Sequence, residues 1–222
     1  LAETAEFEYL GINENMTPQE VEALFTRSDG DYVFARWGRP IVPVVFGVED
    51  ATISVLKGAI EAIVVLARHQ MAETDPELGA NLMVFFCKDW NELPDVPHLD
   101  QLIPDLKPLV TKLNAADANQ YRIFRFDGQG GIRACFVFIK IDAHLAEVSA
   151  ETLCLSQMVQ SILLWSDRAF QNASPLAVVG DTTVLKPEVA SVIQAAYDPV
   201  MPVVADDASH ALRLFARMEK PQ

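Results

Sequence analysis

The stretch that most constrains this chain runs from Tyr121 to Trp165. Tyr121 to Phe126 alternates apolar and basic residues, Asp127-Gly-Gln-Gly-Gly131 carries turn chemistry, and Ile132 to Ile141 is a long strand-like run. Two such runs around a short glycine-rich segment predict an antiparallel hairpin with a five-residue loop. Ser149 then predicts a helix N-cap, with Glu151 favourable in the first turn. Leu155, Met158, Val159, Ile162 and Trp165 follow at helical spacing. A hairpin feeding an apolar helix needs a sheet with that helix laid across it, which points to an α+β domain.

The flanking segments fit that frame. Thr17-Pro18-Gln19-Glu20 is a capping box with proline at the first helical position, predicting a short helix to about Phe25. Tyr32 to Val48 is strand-like, but Pro40 and Pro43 donate no backbone hydrogen bond, so this strand is interrupted or at an edge. From about Asp50, apolar residues from Ile53 through Ile60 and Ile63 to Met71 share one helical face. Leu82 to Cys87 is uniformly apolar, as a central strand is. Pro94, Pro97, Pro104 and Pro108 leave room only for a short helix near Asp105 to Leu113. Ser166 to Asp181 reads as a loop. A helix follows from Lys186 or Pro187 to Tyr197, stopped by Asp198-Pro199, and a last one lies within Asp207 to Met218. The expected organisation is an N-terminal extension with a short helix (1–29) and a single α+β domain (30–222), with a mixed sheet and helices mainly on one face.

Charge and hydropathy exclude some functions. With 17 basic and 31 acidic residues the formal charge is −14, a surface that repels phosphate backbones, so no nucleic-acid partner is expected. No apolar run approaches a membrane span, since Lys57, Glu61 and Arg68 interrupt the most apolar stretch. The numbering begins at Leu1 rather than Met, as it would after removal of a targeting segment or after trimming.

Familiar reactive constellations are missing. His69, His98, His144 and His210 have no metal-ligand spacing, no Gly-x-Ser-x-Gly elbow is present, and no metal or cofactor is expected. A Cys154–His144 pair is conceivable, but a packed thiol or a disulfide is simpler. Gly128 to Gly131 joins two strands rather than a strand to a helix, so a hairpin loop outweighs a phosphate cradle. Glu61 follows Lys57 by one turn and reads as a solvent-side contact. Arg36-Trp37-Gly38-Arg39-Pro40 is the best candidate for a recognition surface, because Arg and Trp dominate binding hot spots; an edge-strand kink is the plainer reading.

Three cysteines, Cys87, Cys135 and Cys154, preclude complete internal pairing. Cys135 in a strand and Cys154 in the first turn of the next helix could meet in a disulfide suited to an oxidising compartment, or all three could be reduced core thiols.

Residues 30–202 resemble a proteobacterial domain-of-unknown-function family of lipoproteins and exported proteins. The resemblance rests on Arg36 to Ile41, on Cys135-Phe136-Val137, and on a helix opening with Cys154-Leu155. Ser166-Asp167, Ser174-Pro175 and Ala196-Tyr197-Asp198-Pro199 continue it. The family motif places a His-Glu pair early in that helix, with a glutamine further on. Here those positions read Ser156, Gln157 and Gln160. The order strand, helix, strand, strand, strand, motif helix also resembles the core of zincin metallopeptidases. In a zincin, helical histidines bind zinc and a glutamate is the base; Ser156 is a weak neutral ligand and Gln157 takes no proton.

The resemblance implies a periplasmic or otherwise exported protein with a degenerate, non-catalytic centre. It would bind a protein or peptide in a groove where the motif helix faces an edge strand. Ser156, Gln157, Gln160, Tyr197, Arg36 and Trp37 are the candidate groove residues. A hydrolase with an unrecognised site, or a small-ligand binder near Gln157, Gln160 and Tyr197, are the alternatives.

Overall fold

A computed structural model describes residues 16–218. At its centre is a four-stranded sheet in the order β2 (Pro43–Phe46), β3 (Leu82–Cys87), β5 (Ile132–Lys140), β4 (Gln120–Phe126). β2, β3 and β5 run parallel, and β4 returns antiparallel along β5. All six residues of β3 are buried, which explains its unbroken apolar run: both faces of the sheet are covered. Leu82, Val84 and Phe86 enter the larger core with Cys135, Val137 and Ile139 of β5. Met83, Phe85 and Cys87 enter the smaller core with Ala134, Phe136 and Phe138.

Most of the helices share the first face. They are α2 (Asp50–Leu66), α5 (Ala150–Ile162), α6 (Pro187–Ala196) and α7 (Ser209–Met218), joined by α1 (Pro18–Ala23). The Thr17/Glu20 capping box forms, and Val21 and Phe25 are wholly buried in this core. Residues 1–15 of the expected extension lie outside the described residues. A smaller cap made from the 3₁₀ turn Trp90–Asp95, α3 (Leu99–Leu102) and α4 (Leu106–Ala115) covers the second face. Two short pairings complete the fold: β1 (Phe34–Ala35) with β8 (Val204–Ala205), and β6 (Leu176–Val179) with β7 (Thr182–Leu185).

Pro43 begins β2 at the sheet edge, where a missing N–H does least harm. Wholly buried Asn81 anchors the strand entry, accepting from the Val42 amide at 2.8 Å and donating to the Pro40 carbonyl at 2.9 Å. The loop after β4 is a hairpin connection: Asp127 Oδ1 accepts from the amides of Gln129 (2.8 Å) and Gly131 (3.0 Å). Those amides are therefore engaged by the loop itself.

Two expectations need correction. α2 stops at Leu66 instead of continuing to Met71, because Arg68 turns to φ 51° and Met71 pairs with Ile41 in a β-bridge. The segment expected as loop from Ser166 to Asp181 holds β6, half of a hairpin turning at Gly180-Asp181 with Gly180 at φ 60°. Glycine-aspartate between β-branched runs is a two-residue turn signal.

Candidate functional site

Ser149 starts α5 as the sequence requires, its hydroxyl accepting from the Thr152 amide at 3.2 Å. The helix lies over the larger-core face of the sheet. The strand alternation turns Arg122 and Phe124 of β4 to that same face, opposite Val137 and Cys135 of β5. A polar network spans the gap. Arg122 Nη1 donates to Gln157 Oε1 at 2.7 Å, and Nη2 donates to Gln160 Oε1. Gln157 Nε2 donates to Gln120 Oε1, and Gln160 Nε2 donates to Ser156 Oγ at 3.0 Å. Ser156, Gln157 and Gln160 thus belong to one cluster, organised around an arginine that the sequence reading did not single out.

Gln120, Arg122 and Gln160 of this cluster line a cleft of about 590 Å³ between β4 and the end of α5, whereas the candidate groove residues Ser156 and Gln157 do not line it and Gln157 is wholly buried. Gln120, Tyr121, Arg122 and Phe124 supply the strand side, and Gln160 the helix side. Opposite lie Trp165, Phe170 and the segment Arg27-Ser28-Asp29. Trp165 is fixed by stacking on Phe25 at 5.4 Å, by its indole N–H on the Val159 carbonyl, and by the edge of Phe170 at 5.1 Å. Asp167 fastens the rim, accepting from the Ser28 amide (2.9 Å) and hydroxyl (2.6 Å). Those two bonds, side chain first, hold its carboxyl below the usual range.

Burial sets the electrostatics beneath the cleft. Desolvation lowers the Arg122 pKa from its ordinary value. The Cys135 thiol beneath it is pushed up to about 12 by burial, against the pull of Arg122 and of the nearby Ser161 hydroxyl. Cys154 is raised to about 11 by burial and then by Glu151, the reverse of an activated nucleophile.

The candidate disulfide is absent: Cys87, Cys135 and Cys154 are all free and buried. The geometry gives the reason. Cys135 lies beside Ser161, two helical turns beyond Cys154. Two turns span roughly 10 Å of helix axis, more than the Cα separation a disulfide spans.

Arg36, Trp37 and Tyr197 do not line the cleft. Trp37 is wholly buried and donates its indole N–H to the Ser161 carbonyl at 2.9 Å. Tyr197 is buried, its hydroxyl donating to the Ile162 carbonyl and accepting from the Trp37 amide. Arg36 lies over the Tyr197 ring at 5.1 Å and donates to the Met201 carbonyl. These three residues tie β1, the end of α5 and the end of α6 together. Arg36 and Trp37 are hot-spot residue types and Tyr197 is a groove candidate through the resemblance; the burial of Trp37 and Tyr197 and the bonds of half-buried Arg36 give all three a packing role.

Among the described residues, no group of three or more His, Cys, Asp and Glu could hold a metal ion, and no helix is long and apolar enough to cross a membrane. Compared with known proteins, the chain matches no family model and is significantly similar to no curated protein or solved structure.

Proposed function

We propose that this chain is a non-catalytic binding domain of zincin-like build, exported from the cytoplasm, which takes a peptide or protein segment into the groove between α5 and the β4 edge. The observation that carries this reading is the position of β4. It is the last strand of the sheet, paired only with β5, and its residues form one side of the cleft. An unpaired strand edge beside a groove is a docking site for an extended chain.

Three further points support it. The order β2, α2, β3, β4, β5, α5 is the one that motivates the zincin comparison. The positions where the resembled family has a His-Glu pair and a glutamine hold Ser156, Gln157 and Gln160, all neutral. A carboxamide is too weak a base to take a proton from water, and both glutamines instead hold Arg122. Export rests on the family resemblance, since the Cys135–Cys154 bridge is absent. The charge of −14 opposes a nucleic-acid partner.

Titration of ¹⁵N-labelled protein with short unstructured peptides tests the reading. The expected result is shifted amides along Gln120 to Phe124, a shifted Trp165 indole, and peptides recovered intact by mass spectrometry. Cleaved peptide, or shifts confined to other surfaces, would overturn it.

A further inference from the structure

Arg122 brings a positive charge to the cleft wall with no acidic partner. Its two hydrogen bonds end on the amide oxygens of Gln157 and Gln160, and none of the ion pairs among the described residues includes it. Three other arginines are neutralised by acids, Arg39 by Asp75 and Glu77, Arg133 by Glu77, and Arg217 by Asp198; Arg122 differs from the remaining arginines in that two side-chain amides hold its guanidinium at a cleft wall. With 31 acidic residues against 17 basic ones, acids are not scarce in this chain. Two of the five N–H donors of a guanidinium are used in the amide bonds, which fix its position without neutralising it.

A fixed planar fork with uncompensated charge matches a carboxylate, which accepts two parallel N–H bonds. The neighbouring wall of Trp165, Phe170 and Phe124 offers apolar cover for an adjacent side chain. The rim carries one further cation, Arg27, and two acids, Asp29 and Asp167; Arg27 lies beside Asp167, and neither acid forms a bond or ion pair with Arg122. The single positive charge of the Arg122 guanidinium balances a carboxylate but not a doubly charged phosphate, and the net charge of −14 adds to that preference.

We infer that the ligand presents a carboxylate to Arg122, so that the peptide recognised carries an acidic side chain or its own C-terminus into the cleft. This inference rests on the peptide-groove reading and narrows it. The Gln157–Arg122–Gln160 bracket is then a positioning device: the amides aim the guanidinium and leave its charge for the ligand.

Calorimetric titration with three probes tests it: N-acetyl-Ala-Phe-Ala as the free acid, the same peptide as the carboxamide, and N-acetyl-Ala-Phe-Glu-Ala as the carboxamide. At least one carboxylate-bearing probe should bind roughly tenfold or more tightly than the uncharged carboxamide, as a charge-assisted bond requires. A preference for the first probe assigns the C-terminus, and a preference for the third assigns an acidic side chain. Arg122→Gln should erase the difference. So should Gln157→Glu, which supplies an internal carboxylate to Arg122 and guards against loss of fold in the first variant. Equal binding of all three probes to the wild type overturns the carboxylate inference and leaves the groove reading standing. Binding of none at millimolar concentration overturns both.

Discussion

The Nη1 atom of Arg122 lies 2.7 Å from the side-chain oxygen of Gln157, on elements 35 residues apart in sequence. Gln157 is wholly buried, and it spends its amide N–H on Gln120. A neutral amide thus holds a desolvated cation, and its removal leaves both that cation and Gln120 short of a partner. Gln157→Leu should therefore cost about 2 kcal/mol of stability or more, the penalty for hydrogen bonds lost around a charge. Gln157→Glu should retain most of the wild-type stability at neutral pH. Urea unfolding of the two variants measures the contrast, and equal losses would mean that shape rather than hydrogen bonding matters at this position.

The thiols give a second expectation. Cys87, Cys135 and Cys154 are free and buried, and burial raises each thiol above its ordinary pKa. Little thiolate is present at neutral pH and access is poor, so reaction with a disulfide reagent should be slow in the native state. All three thiols should react once the chain is unfolded, without prior reduction. Recovery of a single reactive thiol from unfolded, unreduced protein would restore an internal bridge.

Local physics made much of the fold legible. The Thr17 and Ser149 caps, the β4–β5 hairpin and the buried strand Leu82 to Cys87 are set by neighbouring residues, and all are present. What escaped depends on distant contacts. Arg122 reads as one of several basic residues in an alternating strand until α5, 35 and 38 residues on, sets Gln157 and Gln160 against it. Trp37 is a hot-spot residue type and Tyr197 a groove candidate through the resemblance, but packing against Ser161 and Ile162 decides their role. The cysteine pairing failed on register, because β5 places Cys135 opposite the end of α5 and away from its first turn. The β6–β7 hairpin is different: Gly180-Asp181 is a local turn signal between two β-branched runs, so this hairpin is legible in the sequence.

His210 provides an acid-sensitivity test. It is buried against Phe34, and its Nδ1 shares a hydrogen bond of 2.8 Å with the Tyr32 hydroxyl, while Nε2 has no partner. Burial, then the nearby Arg213, lowers its pKa to about 4 from an ordinary 6.5. The unfolded chain therefore binds a proton between those values that the folded chain refuses. Stability from this group is complete above pH 6.5 and is lost as pH falls toward 4. The steepest slope one such proton gives is about 1.4 kcal/mol per pH unit. Urea midpoints measured across this window should fall for the wild type and fall less for His210→Phe. Parallel curves for the two proteins would remove His210 as the cause.

Two glycines separate backbone strain from steric clash. Gly47, just after β2, has φ 83°, and a Cβ built there would lie 2.0 Å from the Phe86 carbonyl oxygen of the neighbouring strand. Gly79 has a similar φ of 72°, but a Cβ there would meet nothing within 4 Å. Alanine at Gly79 should cost only the left-handed backbone penalty, about 1–2 kcal/mol. Alanine at Gly47 carries that penalty plus a clash with backbone that cannot yield without breaking the β2–β3 pairing. Its loss should be well beyond that of Gly79→Ala, enough to unfold a marginal domain at room temperature. Thermal unfolding of the two single variants decides the matter, and similar melting temperatures would show that β2 can shift away from Phe86.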